Sequence, residues 1–121
     1  MKYGNTKVNL DGYKFDSKME ADRYRYLKNC KANGDIKDFV IHPKFILQPS
    51  FVYNGKRISP ITYTSDFKVY HNDGTVSIED VKGTKTNEFK IKEKMLKFIL
   101  RNENNIDIYC ITLYKENWVR I

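Results

Sequence analysis

The sequence lacks the features that mark several protein classes. No apolar run approaches the roughly 18 residues of a membrane-spanning helix, and no signal-peptide pattern opens the chain. The two cysteines, Cys30 and Cys110, are far apart and show no metal-site spacing. We therefore expect a cytoplasmic protein with reduced core thiols.

Motifs that would identify other enzyme classes are also missing. The chain has no glycine-rich phosphate loop, no nucleophilic Ser or Cys motif and no zinc constellation. No internal repeat, low-complexity tract or linker divides its 121 residues. That length suffices for one hydrophobic core and is too short for two, so residues 1–121 are interpreted as a single domain.

Acidic residues are outnumbered by basic ones. Lys plus Arg number 22 against 15 Asp plus Glu, which gives a net charge of +7 and a pI near 9.3. The 40% hydrophobic and 14% aromatic content excludes a disordered chain. In so small a domain this charge favours a polyanionic partner, with nucleic acid ahead of an anionic membrane.

Turn and cap signals outline an α/β fold. Asp11-Gly12 predicts a hairpin, and the capping-box sequence Ser17-Lys18-Met19-Glu20 predicts a helix that ends at Asn33-Gly34. Asn54-Gly55 predicts a second hairpin, whose strands are interrupted, bulged or at an edge because Pro49 and Pro60 cannot donate to a ladder. A hairpin is predicted over 7–15 and the second helix over 87–102. Strands are predicted over 36–40, 44–53, 56–63, 61–70, 76–82 and 106–113. Together they predict a mixed central β-sheet with an antiparallel meander, flanked by two helices.

The segment from Ile61 to Lys82 carries the candidate chemistry. It contains two β-patterned runs joined by His71-Asn72-Asp73-Gly74. Strand periodicity places Tyr63, Phe67 and Val69 on one face of the first run and Asp66 on the other. On the second run, Asp80 and Lys82 share a face.

The connecting loop decides whether Asp66 and Asp80 meet. A type I turn on Asn72-Asp73, followed by Gly74 in the left-handed region, pairs Asp66 with Asp80 at roughly 5 Å between Cβ atoms. A two-residue loop on Asp73-Gly74 instead pairs Asp66 with Val81 and moves Asp80 to the other face. The turn chemistry allows both, and we favour the first.

Two adjacent carboxylates repel and need a cation or a shared proton. A hard divalent ion, Mg²⁺ with Mn²⁺ as a substitute, would join Asp66 and Asp80, and Lys82 would orient or deprotonate a metal-bound water. The alternative is that both are exposed strand carboxylates paired with Lys68 and Lys82, each pair contributing at most about 1 kcal/mol.

Glu20 has two interpretations. As the third residue after the cap it would reach back to the amide of Ser17. It also shares a helical face with Tyr24 and Leu27, which points it toward the sheet and the metal, directly or through a water. Neither His42 nor His71 has a partner at ligand spacing, and Trp118 is expected to pack over the sheet.

A basic stripe follows the candidate site. Lys90, Lys94, Lys97 and Arg101 recur every three or four residues on the second helix, after Lys85 in the preceding loop. Such a stripe is either a solvated helix face or a phosphate-binding surface. In a chain this basic we favour contact with DNA phosphates through Lys85, Lys90, Lys94 and Lys97.

The order of these elements resembles the PD-(D/E)XK nuclease superfamily, which includes restriction endonucleases and archaeal-type Holliday junction resolvases. The runs DSKMEADRYRYL, SDF and EDVKG are similar to small phage-encoded proteins of that superfamily, over about residues 13–98. Ser65 stands where the superfamily usually has Pro.

The resemblance implies that Asp66 and Asp80 bind the metal with the Val81 carbonyl, that Lys82 positions the attacking water, and that Glu20 is an outer or second-metal ligand. Glu79 would replace Asp80 if the register slipped. It further implies a Mg²⁺-dependent endodeoxyribonuclease, acting on branched recombination or replication intermediates as a homodimer in the host cytoplasm. The alternative is a non-catalytic nucleic-acid-binding protein on a nuclease-like fold.

Overall fold

The structure, a computed structural model, describes residues 7–82, 85–103, 106–112 and 119–120, with backbone only for Lys82 and for the strand residues after Ile106. The first half of the elements comprises β1 (Val8–Leu10), β2 (Tyr13–Phe15), α1 (Lys18–Ala32), β3 (Asp38–Ile41), β4 (Lys44–Gln48), β5 (Phe51–Tyr53) and β6 (Lys56–Ile58). The second half comprises β7 (Ile61–Thr64), β8 (Phe67–Tyr70), β9 (Val76–Lys82), α2 (Asn87–Leu100), β10 (Ile106–Thr112) and β11 (Val119–Arg120).

A five-stranded mixed sheet forms the centre of the molecule, in the order β11-β10-β9-β8-β3. Strands β9 and β10 are parallel and are connected through α2, whereas the other neighbours pair antiparallel. The predicted α/β fold, with a mixed sheet, an antiparallel meander and two helices, is confirmed. Within the described residues, neither of the two helices is long and apolar enough to span a membrane.

Both helices begin at the side-chain caps that local chemistry favours. The Ser17 hydroxyl accepts from the Glu20 amide at 3.1 Å, and the Thr86 hydroxyl accepts from the Phe89 amide at 3.1 Å. Helix α1 ends at Asn33, followed by Gly34 with φ +79°. The predicted first helix is confirmed, and the second ends two residues earlier than expected.

One antiparallel register runs through two sheets. Ile41 pairs with Phe67 in the β3–β8 ladder, and Lys44 pairs with Thr64 in the β4–β7 ladder, without a change of register between them. The chain bends at the junction, where the Ser65 amide donates to the Pro43 carbonyl at 3.1 Å. The prediction of a continuous strand over 61–70 is therefore wrong, because residues 65 and 66 leave the strand geometry.

Beyond β4 and β7 the chain continues into the two-stranded ribbon β5–β6, which closes at Asn54-Gly55. Both turn residues have positive φ, 49° and 75°, as a two-residue type I′ turn requires. Pro49 and Pro60 separate this ribbon from β4 and β7, as predicted. We call residues 50–60 the arm.

Two apolar clusters lie on opposite faces of the central sheet. Phe67 and Val69 pack with α1, whereas Ile78 packs with α2. Cross-strand partners share a face, and Ile78 pairs with Lys68, whose side chain points away from those of Phe67 and Val69. The α1 cluster contains Phe15, Ala21, Tyr24, Leu27, Cys30, Ile36, Phe67 and Val69, and the α2 cluster contains Leu47, Tyr63, Ile78, Phe89 and Leu96.

Three sequence expectations about packing need correction. Tyr63 packs with α2 and not beside Phe67 and Val69, because the bend at residues 65 and 66 separates β7 from β8. Helical spacing predicts that Ile99 lies on the buried side of α2 with Phe89 and Leu96, but its side chain is 39% exposed. Ile36 is buried but precedes its strand, which covers Asp38–Ile41.

Leu96 tests whether α2 is held by its buried face. Replacing Leu96, which is 1% exposed, by Ala should lower the free energy of unfolding by about 2–5 kcal/mol, since a cavity is left in the α2 cluster. The matched control is Ile91→Ala on the same helix, where the side chain is 61% exposed and the loss should stay below about 0.5 kcal/mol. Urea titrations measure both, and equal losses would contradict this packing.

Candidate metal centre

The loop between β8 and β9 sets the register of the candidate site. Gly74 has φ +89°, its amide donates to the His71 carbonyl at 3.1 Å, and the His71 amide donates to the Thr75 carbonyl at 2.9 Å. This is the three-residue loop that the sequence favoured, and the ladder pairs Phe67 with Glu79. Asp66 and Asp80 therefore occupy opposite positions just beyond the last ladder pair.

Asp80 is a buried carboxylate held by protein donors. Its exposed fraction is 1%. The Tyr63 hydroxyl donates to one oxygen, and the Asp66 amide donates to the other at 3.2 Å. Because Asp80 is buried, the alternative of an exposed strand carboxylate is wrong for it. The two hydrogen-bond donors offset the cost of burying this polar group.

Asp66 lies in the bend and is bonded to both neighbouring strands. Its amide also contacts the Glu79 carbonyl at 3.1 Å, while its Oδ2 accepts from the Val81 amide at 2.6 Å. On the other side, its carbonyl accepts from the His42 amide at 2.9 Å. The Asp66 carboxylate thus takes the position of a ladder acceptor for β9, so it lies at the strand end and not on the sheet face.

Glu20 caps the start of α1 and also contacts a residue of the candidate site. It is 3% exposed, and its Oε2 accepts from the Asp16 amide at 3.2 Å. This corrects the capping-box expectation by one residue, because the carboxylate reaches past Ser17. The second oxygen, Oε1, lies 2.8 Å from Nε2 of His42 and so faces the candidate site.

Glu20, His42 and Asp66 form a compact group of potential metal ligands. One ligand atom from each lies within 4.8 Å of the others, and among the described residues only this group of three or more does so. Octahedral Mg²⁺ with oxygens at about 2.1 Å separates adjacent ligand atoms by about 3 Å and opposite ones by about 4.2 Å. The 4.8 Å limit is slightly wider than this span, and the donor types, two carboxylates and an imidazole, suit a divalent cation. Asp80 is not part of this group.

His42 was missed by the sequence analysis, which found no partner for it. Its partners come from the register, since His42 stands opposite Asp66 at the end of the β3–β8 ladder. Its φ of +53° is costly for a residue with a side chain, by about 1–2 kcal/mol. The sequence signal was His42-Pro43 directly after the β3 pattern, because a bend there turns the imidazole toward α1.

Glu79 does not take the place of Asp80. The register does not slip, and Glu79 lies on the α1 face, where Arg23 binds both its oxygens at 2.8 Å and 2.7 Å. Glu79 is 4% exposed, so this bidentate pair neutralises a buried charge. It also ties α1 to β9 one helical turn beyond Glu20.

Other predicted site residues are only partly described. The Lys82 side chain, Trp118 and the Cys110 side chain lie outside the described part of the structure. Val81 is described through its amide bond to Asp66. His71 lies 2.8 Å from the Ser77 hydroxyl, apart from the ligand group. The predicted DNA-binding residues, Lys85, Lys90, Lys94 and Lys97, are all exposed, and Lys97 pairs with Glu93 at 3.2 Å.

The Tyr63 hydroxyl provides a direct test of how Asp80 is held. Tyr63→Phe removes a donor to a buried carboxylate and should lower the free energy of unfolding by about 1–3 kcal/mol at neutral pH. Tyr53→Phe, in a side chain that is 65% exposed, is the control and should change stability little. Denaturant titration measures both, and an unchanged Tyr63→Phe protein would refute this account of the Asp80 carboxylate.

Comparison with known proteins identifies a family. The chain belongs to the family described as "Protein of unknown function (DUF1064)", whose model matches residues 1–116. No curated protein matches the chain.

Proposed function

We propose that this DUF1064 protein is a metal-dependent endodeoxyribonuclease that hydrolyses DNA phosphodiester bonds. One observation carries the proposal. His42 follows β3, Asp66 precedes β8 and Asp80 lies within β9, so the three occupy neighbouring positions across the sheet, and Glu20 contacts His42 from α1. This arrangement gathers three carboxylates and an imidazole from distant parts of a chain with a net charge of +7.

Glu20, His42 and Asp66 would bind the metal through side-chain atoms. The 2.8 Å contact between His42 and Glu20 is the length of a hydrogen bond and also close to the spacing of adjacent ligands. A cation can therefore replace the proton between them with little movement. Asp80, hydrogen-bonded to the Asp66 amide, would hold this position and is the candidate for a further ligand.

The donor set bears on which ion binds. Carboxylates suit Mg²⁺ and Mn²⁺, whereas an imidazole ligand suits softer ions and binds Mg²⁺ poorly. We therefore propose Mg²⁺ or Mn²⁺ as the cofactor, with His42 raising the affinity for Mn²⁺. Bound there, the ion would activate a water and offset charge on the scissile phosphate.

Lys82 and the basic residues of α2 would act on the substrate. Lys82 follows Asp80 by two residues on β9. Its ammonium would orient the attacking water, the role that the sequence alternation predicts for it. The exposed residues Lys85, Lys90 and Lys94 would bind the DNA backbone, to which cations contribute without reading sequence.

Branched recombination or replication intermediates are the substrates we favour, as the resemblance to junction resolvases implies. Two symmetric cuts in such a junction require two centres. The protein would then act as a homodimer in the host cytoplasm.

The metal proposal is tested by titrating Mn²⁺ into the protein. His42→Ala should weaken Mn²⁺ binding by at least about tenfold, because it removes the nitrogen ligand. His71→Ala, which changes the other histidine outside the ligand group, should bind Mn²⁺ as the parent does. Calorimetry or Mn²⁺ electron paramagnetic resonance gives the constants, and equal binding by both variants would remove His42 from the site.

Catalysis is tested on labelled four-way junction, flap, duplex and single-stranded DNA with Mg²⁺, Mn²⁺ or EDTA. Asp66→Asn, Asp80→Asn and Lys82→Ala should each lower the cleavage rate by at least about a hundredfold. The controls are Asp38→Asn, an exposed carboxylate on β3, and Lys68→Ala on β8. Metal-independent cleavage, or full activity in all three site variants, would refute the proposed metal-dependent nuclease centre.

A non-catalytic DNA-binding protein is the second candidate. It is favoured by the hydrogen bonds that the Asp66 and Asp80 carboxylates accept from Val81, Tyr63 and the Asp66 amide, which hold them without a metal. In that case the Asp66→Ala variant would bind each DNA of the panel with the same affinity as the parent protein. The parent would cut none of the substrates with either metal.

A further inference from the structure

The arm, residues 50–60, has a composition unlike the rest of the chain. No Asp or Glu occurs between Asp38 and Asp66, whereas Lys44, Lys56 and Arg57 fall within that segment. His42 and Asp66 pair at the base of this segment, and both belong to the ligand group. A surface with this charge repels cations and attracts polyanions.

The two faces of the arm differ. Cross-strand partners share a face, and the register pairs Phe51 with Ile58 and Tyr53 with Lys56. Phe51, Tyr53, Lys56 and Ile58 therefore form one face, while Val52 and Arg57 form the other. Tyr53 is 65% exposed and Phe51 43% exposed, so two aromatic rings on one face are open to solvent.

Exposure of this kind is unusual for a short ribbon. A two-stranded hairpin is marginally stable in water, and its apolar side chains commonly pack on the body of the protein. Here every residue from Phe51 to Pro60 is exposed. The aromatic face thus contributes little to the described cores, which suggests that it serves a ligand.

We propose that the arm binds DNA with unpaired bases, Tyr53 and Phe51 stacking on the bases and Lys56, on the same face, binding a phosphate. Aromatic rings interleaved with cations, without acidic neighbours, are the combination that single-stranded nucleic acid requires. The arm would therefore select flaps, junction centres or single strands over continuous duplex.

The geometry links this surface to the proposed active site. From Gly55 at the tip to Asp66 at the base, an extended strand at about 3.3 Å per residue covers at most about 35 Å, which is about ten nucleotide steps. The inference rests on the proposed function only in taking DNA as the substrate. An arm that holds unpaired bases would fix the distance between the branch point and the cut.

The test measures DNA binding in EDTA, where no cleavage occurs, by fluorescence anisotropy on single-stranded, flap and duplex DNA. Tyr53→Ala should weaken binding to single-stranded and flap DNA by at least about fivefold and leave the salt dependence unchanged. Lys56→Ala should instead reduce the slope of log affinity against log salt concentration by about 0.7–0.9, since one phosphate contact is lost.

The matched controls are Tyr26→Ala, an exposed aromatic residue on α1, and Lys14→Ala, an exposed cation on β2. Both should bind like the parent. All four positions are exposed, so circular dichroism and thermal unfolding should show an intact fold. Parental affinity in Tyr53→Ala would overturn the proposal, as would equal losses in the control variants.

Sedimentation and cleavage distinguish the remaining explanations. If Tyr53→Ala turns a dimer into a monomer while affinity per protomer stays unchanged, the arm binds a second copy of the chain and the proposal fails. DNA binding that depends on the arm, without cleavage, would refute the proposed nuclease and support DNA binding by the arm. Cleavage that persists with unchanged binding in the arm variants would refute the arm and keep the nuclease.

Discussion

The backbone pairing of His42 with Asp66 is the constraint on which the candidate site depends. This pair continues the β3–β8 ladder to its end and begins the bend toward β4–β7. Because the register does not change across the bend, the same hydrogen-bonding pattern places the imidazole beside Asp66 and sends the arm outward. The left-handed backbone of His42 is the local cost of that bend.

Buried charge around this pair is compensated residue by residue. Arg23 neutralises Glu79 on the α1 face, while Tyr63 and a backbone amide hold Asp80 on the α2 face. Glu20 accepts from the Asp16 amide through Oε2 and contacts His42 through Oε1. These contacts offset the cost of burying the carboxylates and hold them in place.

Sequence patterns predicted the fold well because its signals are local. Asp11-Gly12, Ser17, Asn33-Gly34 and Gly74 each specify a turn or cap whose geometry needs no distant partner. The pairing of Asp66 with Asp80 followed from the loop by counting.

The rest of the site depended on tertiary contacts that periodicity does not contain. The bend at Ser65 and Asp66 interrupts an otherwise strand-like run, because the Asp66 amide turns toward Glu79 and Asp80. That bend gives His42 its contacts and moves Tyr63 to the α2 cluster. Strand alternation assumes an unbroken strand and therefore misplaced Tyr63. His42 was missed because its partners are distant in sequence.

The position of the bend has a consequence for folding order. His42 and Asp66 belong to one long hairpin, and Asp80 follows through a three-residue loop, so the strand contributions to the site close by local pairing. Local pairing costs little loop entropy and favours early formation. The parallel pairing of β9 with β10 needs the whole α2 crossover first. Three of the four site residues can thus be brought together while the far edge of the sheet is still unformed, and α1 adds Glu20 when it packs onto that hairpin.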